Sequence, residues 1–578
     1  MIPLIWLAAA PAAEDPSDVL QAEMTRSLEG LALPNAPELY YLRYRLYDID
    51  TVQAHASLGT VVQYAIEPSV SLGVEVRVGN ATFDNMNFSG WQNGLARTGL
   101  PDTYTPSSLQ TAAWRLTDRA YKEAVEQYAR KQAQFSPPPD YPGDFLVSEP
   151  VVADDGPGAF TTNPMTLIDL VSALSGSLRG DPTLLIGEVH LGHEAGAAWL
   201  IDSEGSRVRT PVAEVTLRAI AAARASDGGL VTDQLLVTVR DASALPSQDA
   251  LERQVKALRD RTVALAKASP LTDEYVGPVV FEDQAARALF RHVLIPQVEG
   301  TPSEIPFDSF FGELGGIASK ARMGRRVLPP GFTVIADPTS RPDHPGSFQH
   351  DAEGTRTGPV TLVRDGIVRD VLRSRVPAKD QAPSNGHARG SVGSRLEGRV
   401  AGLRVEPPRN RSRKSLLRKA LKIARSYGHD HVMVVRRIQV PGVMRRAGGP
   451  WFDSEGASSL PPPVGVFRVH ADGREEPLRG VAFASLQRWA LRDIVDSGAV
   501  SEGSFLAPFA GSVSGLGPTE GLASWIAAPD VLIGEVELVP QSADPRDVPL
   551  LPPPPADEPS FHGPQEATQI TPRRGASR

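Results

Sequence analysis

The sequence predicts a mixed α+β fold in two domains: an N-terminal antiparallel sheet with long helices, then a strand-rich β/α domain. Three patterns predict it. Residues 40–47 alternate strictly, with Tyr40, Leu42, Tyr44 and Leu46 on one face and Tyr41, Arg43, Arg45 and Tyr47 on the other. Residues 70–78 repeat this as Val70, Leu72, Val74, Val76 and Val78 against Ser71, Gly73, Glu75 and Arg77. A period of two marks strands with one dry and one wet face. Residues 108–132 and 249–267 carry apolar side chains three and four apart, as packed helices do. Beyond residue 269, short β-type runs alternate with polar loops and with the tight-turn pairs Asp365-Gly366 and Asp472-Gly473.

The elements follow in order. A first helix starts near Asp15 or Pro16, since an acid before a proline is a favoured helix start, and turns Leu20, Met24, Leu28 and Leu31 inward. Strands over 40–47, 52–56, 60–66 and 70–78 form a meander. In the helix over 108–132, Trp114, Tyr121, Val125 and Tyr128 share a side and are expected in the core. Residues 165–174 are helical, and residues 183–190, 197–202 and 212–224 are extended. The helix over 249–267 points Leu251, Val255, Leu258 and Leu265 inward and pairs Glu252 with Lys256 outside. The second domain opens with a strand over 275–281 running into a helix over 282–293. Strands over 331–336, 361–364, 367–372, 431–440, 464–470, 475–480 and 531–539 follow, with helices over 412–427 and 481–495. The predicted division is 1–13 as a signal-peptide remnant, 15–268 as the first domain, 269–540 as the second and 541–578 as a proline-rich disordered tail.

Composition excludes several chemistries. The chain has 578 residues, 41% apolar and 22% charged, the balance of a globular protein with large cores. A net charge of −9 argues against a general nucleic-acid binder. The absence of cysteine removes disulfides, thiolate metal sites, iron–sulfur clusters and a cysteine nucleophile together. The apolar run Ile2 to Ala10, followed by Ala10-Pro11-Ala12, points to export to the periplasm. It is short and lacks a preceding Lys or Arg, which leaves a frayed end of a cytoplasmic protein as the alternative. No segment approaches the ~20 apolar residues of an integral membrane helix.

Candidate chemistry gathers at five places. The strand–helix junction holds Phe281, Glu282 and Ala286, an acid with no nitrogen or sulfur ligand beside it. The polar loop 337–354 and the following SNGHARG bring His344, His350, Asp351, Glu353, His387 and Arg389, candidates for a loop-built groove. The bland reading of Asp351 and Glu353 is that they hold the loop backbone by hydrogen bonds. His190, His193 and Glu194 invite a zinc reading. On a strand, however, residues 190 and 193 point to opposite faces, so no metal is expected there. His429 and His431 bracket Asp430 in what reads as a solvated turn. The basic run 409–419 is interleaved with Leu416, Leu417, Leu421 and Ile423 and reads as the wet side of a helix. Walker, GxGxxG, GxSxG and HExxH motifs are absent.

In order along the chain, EMTRSLEGL, ELYYLRYRLYD, VEVRVGNATFDN, AAWRLTDRAYKEA and LIDSEG, then VGPVVFEDQAARALF, VIADPT, GSFQHDAEGTRT, LVRDG, SNGHAR, PLRG and APDVLIGEVEL, resemble the TldD/PmbA family, also called TldD/TldE peptidases or modulators of DNA gyrase. The resemblance spans about residues 20–540 and implies the two-domain fold of that family. In its catalytic members the strand–helix junction carries HExxxH, and two histidines with a later cysteine are proposed to hold zinc. Such a metal lowers the pKa of bound water and the glutamate takes its proton. Here Phe281 and Ala286 stand at the histidine positions, Glu282 is retained and no cysteine exists. The resemblance therefore implies no catalytic residue and no metal in this chain. It implies a metal-free, TldE-like subunit that shares a peptide chamber with a zinc-bearing TldD-like partner, or with a second copy of itself. His350, Asp351, Glu353, His387 and Arg389 are then candidates for the substrate groove. Two alternatives are an exported peptide-binding or scaffold protein, and a hydrolase with a metal site relocated to His344, His350, Asp351, Glu353 and His387.

Overall fold

The computed structural model describes residues 15–90, 93–305, 323–378, 382–439, 460–484, 486–508 and 521–541. The N-terminal apolar run and the tail beyond residue 541 lie outside them. The fold is the mixed α+β architecture expected, built on two large sheets.

Helix α1 (Pro16–Gly30) starts as the sequence indicates. Pro16 sits in the first turn and the Asp15 carboxylate accepts from Ser17 N (2.8 Å). Leu20 and Met24 are buried, but Leu28 is 38% exposed. At 3.6 residues per turn the stripe through positions 20, 24 and 27 leaves residue 28 turning outward. Strands β1 (Leu39–Ser57) and β2 (Thr60–Asn80) are each one long strand where two were expected, and they pair antiparallel along their whole length. Two short strands, β3 (Phe83–Asp84) and β4 (Leu95–Leu100), pair with β2. Helix α2 (Pro106–Gln134) begins in a reciprocal cap between Thr105 and Ser108. Tyr121 is buried in it, whereas Trp114 is 45% exposed, with the Arg26 guanidinium 5.9 Å from its ring.

After β5 (Val152–Asp154) and α3 (Pro164–Gly176) come β6 (Leu184–Asp202), β7 (Arg207–Arg224) and β8 (Leu230–Val239), the last a strand the sequence did not suggest. The sheet order is β3-β2-β1-β6-β7-β5, with β4 added on β2 and β8 on β7. Helix α4 (Gln248–Ala266) buries Leu251, Val255, Leu258 and Leu265 as expected and packs with α3 over one face of this sheet. Each such leucine contributes about 1.5–3 kcal/mol by leaving water.

The other face of β1 and β2 corrects an expectation. The sequence predicts it wet, yet Tyr41, Arg43, Arg45, Glu75 and Arg77 are all buried. Residues from the second half of the chain cover it. Arg45 donates to Ser391 O (3.1 Å), Arg43 lies 3.9 Å from Glu353, and a Cβ on Gly73 would stand 2.7 Å from Val392.

The second sheet begins with β9 (Ser269–Pro270) and β10 (Tyr275–Phe281), then α5 (Asp283–Leu289), which continues as a π-turn over Phe290–Leu294. Strands β11 (Thr333–Ala336), β12 (Val360–Arg364) and β13 (Ile367–Val368) follow. The β12–β13 turn places Asp365 and Gly366 at φ +52° and +73°, as a tight hairpin requires. Then come β14 (Ala388–Arg389), β15 (Glu397–Gly398), β16 (Gly402–Glu406), helix α6 (Arg413–Ser426) and β17 (His431–Ile438). The last strands are β18 (Pro463–His470), β19 (Glu475–Arg479), β20 (Val481–Phe483), β21 (Ile494–Ala507) and β22 (Leu522–Pro540). The order is β13-β12-β11-β16-β22-β10-β17-β18-β19-β9, and β20 and β21 also pair with β22. The helix expected over 481–495 does not form. Val481 and Phe483 pair with Pro540 and Leu538, and Ile494 opens β21. Apolar residues three and four apart there serve strand pairing, which overrides the helical spacing.

Candidate functional site

Strand β10 delivers Phe281 and Glu282 to the start of α5, as the sequence indicates. Phe281 is fully buried, its ring 6.0 Å from that of Phe483, and Ala286 is fully buried in the same core. Glu282 is also buried. One carboxylate oxygen accepts from Arg413 Nε (2.7 Å) and the other from Arg436 Nε (2.9 Å). Both arginines donate their second arm to Glu475 Oε1, at 2.8 Å each. Asp283, next in line, adopts φ +50°, and its amide donates to Asp530 Oδ1 (2.8 Å), so α5 is capped by an acid from β22. Glu282 makes no cap bond of its own. The junction is therefore a cross-link: a carboxylate joins α5 to α6 and β17 through two guanidinium groups. A phenyl ring and a methyl group offer no lone pair, so these residues do not fit a zinc ion.

The α5 face turned toward β21 is basic. Arg287 bonds Asp283 (2.7 Å) and Ser501 (2.5 Å), and Arg291 donates to Leu506 O (2.9 Å) with its guanidinium 4.6 Å from the Phe505 ring. Burial, with Arg218 of the first sheet nearby, pushes Arg291 down to about 10, and burial beside Arg291 pushes His292 down to about 3.

The polar loop is a knot of internal bonds. His344 is buried, accepts from Gly346 N at Nδ1 (3.0 Å), and sets Nε2 3.0 Å from both Thr238 Oγ1 and Ser504 Oγ. Burial, aided by Arg341 and Arg389, holds it down at about 4, so it bridges the two sheets as a neutral ring. Asp351 accepts from three amides, Glu353 N, Thr355 N and Ala388 N, each at 2.9 Å. Burial and the Glu353 carboxylate raise it toward 7 against those donors. Glu353 accepts from Arg375 N (2.7 Å). His387 is fully buried with Nδ1 2.9 Å from Asn385 O, and its Nε2 has no partner among the described residues. Arg389 donates to Val400 O (2.9 Å), Ser524 Oγ (2.8 Å) and Ala523 O (2.8 Å). His350 keeps partial exposure, with Nδ1 2.9 Å from Asp155. Of the five groove candidates, then, Asp351, Glu353 and His387 are buried, Arg389 is spent on two carbonyls and Ser524 Oγ, and His350 keeps partial exposure beside Asp155. Among the described residues, His344, His350, Asp351, Glu353 and His387 form no trio close enough to share an ion, which removes the relocated site.

The HLGHE stretch behaves in part as expected. His193 faces the core, edge-on to Phe160 (4.2 Å), with Nδ1 3.1 Å from Glu214 O, while His190 points the other way. The group that does converge is His55, Glu188 and His190, whose ligand atoms lie within 4.8 Å of one another. Sequence spacing missed it because His55 stands opposite His190 on the neighbouring strand. At the predicted solvated turn, Asp430 is exposed and bonds His431 (2.8 Å), and His429 bonds Val276 O (2.9 Å).

Residues 272–434 match the family profile of the PmbA/TldA metallopeptidase C-terminal domain. A metalloprotease of Methanothermobacter thermautotrophicus is 26% identical over 216 residues, which are 37% of this chain and 44% of that relative. The match thus spans less than half of the relative's length. Among solved structures, a Thermotoga maritima protein described as a modulator of a DNA gyrase superposes with TM-score 0.57 at 14% identity, covering 90% of this chain and 99% of that one. TldE from Thermococcus kodakarensis gives 0.53 at 12%, with 90% and 99% covered, and a Bacteroides thetaiotaomicron protein described as a modulator of DNA gyrase gives 0.54 at 13%, with 90% and 98% covered. The two-sheet, mixed α+β fold is shared with these solved structures. Residues 272–434 form a domain of the PmbA/TldA metallopeptidase C-terminal type. No described helix is long and apolar enough to cross a membrane.

Proposed function

We propose that this chain is the non-hydrolytic, TldE-like subunit of a two-subunit peptidase, acting on unfolded peptides with a zinc-bearing TldD-like partner. The junction carries the reading. Where zinc chemistry needs two imidazoles and a free carboxylate, this chain has a buried phenyl, a buried methyl and a glutamate bound by two arginines. The 12% identity to TldE speaks only for the fold, so the pairing rests on the junction.

The test is co-expression with a family member that retains HExxxH, followed by co-purification and assay of an unstructured peptide. The expected result is a complex whose peptide hydrolysis is abolished by chelator, with neither hydrolysis nor chelator effect in the lone chain. Chelator-sensitive cleavage by the lone chain would overturn the reading. A stable chain that binds peptides and captures no such partner would support the exported peptide-binding or scaffold alternative instead.

A further inference from the structure

We infer that His55, Glu188 and His190 form a binding site for one divalent ion of the zinc class, on the sheet that does not carry the junction. The residues come together through strand register. His55 on β1 lies directly opposite His190 on β6, and Glu188 sits two residues back on β6. Ala54, Ala56, Val189 and Leu191 occupy the helix-covered core, so the alternating residues His55, Glu188 and His190 project together from the other face.

The geometry suits an ion. The two imidazole rings are parallel, 4.2 Å apart and 9° from coplanar. Their Nε2 atoms lie 3.6 Å (His55) and 3.0 Å (His190) from the same oxygen, Glu188 Oε2. Tetrahedral ligands with bonds of 2.0–2.2 Å stand about 3.4 Å apart, between those two separations. Two imidazoles and one carboxylate are a zinc-type donor set that leaves a fourth position open. All three side chains are mostly buried yet reachable, at 18%, 17% and 9% exposed.

The site faces the seam between the sheets. One pleat along the same strands, Gly192, Thr216 and Thr238 form the next row, and Thr238 meets His344 and, through it, Ser504 of β21. Arg218, opposite His190 on β7, donates its Nε to Gln234 (2.6 Å). An ion here would tie β1 to β6 at the edge of the surface that the second half of the chain covers.

The full-length chain, stripped with chelator, is titrated with Zn²⁺ by calorimetry and with Co²⁺ by visible absorption. One ion per chain is expected. His55→Gln and His190→Gln are each expected to weaken binding by more than about tenfold, and Glu188→Gln by about tenfold. X-ray absorption of the zinc-loaded wild-type chain, which needs no variant, is expected to read two imidazoles per ion. Failure to retain zinc at micromolar concentration, fewer than two imidazoles, or binding that survives both histidine substitutions in folded protein would each overturn the site. None of these results bears on the junction or on the partner assay above.

Discussion

At the residue scale, two glutamates show how this fold uses buried charge. Glu282 serves as the centre of a cross-link with Arg413, Arg436 and Glu475. Arg413 is 45% exposed, so the cost of losing the carboxylate falls below that of a fully buried pair. Glu282→Ala is expected to destabilise by about 2 kcal/mol, read by urea unfolding. Glu75 lies deeper. Burial raises its carboxyl, but the guanidinium groups of Arg43 and Arg77 overcome this and hold it down at about 2, from an ordinary 4.5. A depressed acid stabilises the fold above its unfolded pKa and loses that contribution as pH falls through the folded value. Stability should therefore decline between about pH 4.5 and pH 2 by on the order of 3 kcal/mol from this group. Glu75→Gln should lose about 3–5 kcal/mol at pH 7 and show a shallower acid limb in pH-dependent unfolding.

At the element scale, the loop between β11 and β12 behaves as structure. Removing the Asp351 carboxylate strands three amides, two of them buried and costing about 1–3 kcal/mol each, so Asp351→Ala should lower the melting temperature sharply. A variant that melts as wild type but binds peptide poorly would return the loop to the groove. Half-buried Glu214 on β7 runs opposite to Glu75 in sign, since burial raises it to about 7. Its contribution is present below the unfolded pKa and is lost as pH rises toward 7. Glu214→Gln should match wild type at pH 5 and exceed it at pH 8 by roughly 1–2 kcal/mol in thermal or urea unfolding.

The elements also show what the sequence could carry. The alternation at Tyr40–Tyr47 is local, so β1 was legible, as were α4 through Leu251 and Leu258 and the turn at Asp365-Gly366. The burial of Arg43 and Arg45 was not, because residues from the second half of the chain, Glu353 and Ser391, cover them. Val481 to Val495 carried a helical period that strand pairing to β22 overrode. The apolar character of Phe281 and Ala286 was legible from residue type alone, and the core buries both. The meeting of His55 with His190 was not, since register between strands is not written in spacing along one of them.

At the scale of the whole molecule, Arg375 joins the two sheets. It is fully buried, donates to Leu146 O (2.8 Å) and Glu204 (2.7 Å), and lies 4.1 Å from the Phe145 ring. Arg375→Ala should convert one calorimetric transition into two, as each sheet melts on its own; a single, merely lowered transition would show that other contacts suffice to couple them. Strand β22 sets a further constraint, one of timing. It pairs with β10, β16, β20 and β21, so the second sheet is knit together by residues 522–540. During synthesis the first sheet is complete once residue 239 has emerged, while β10 must wait about 250 residues for β22. A nascent chain halted before residue 522 would carry a finished first half and a second half of open strand edges, a ready substrate for chaperones or for aggregation.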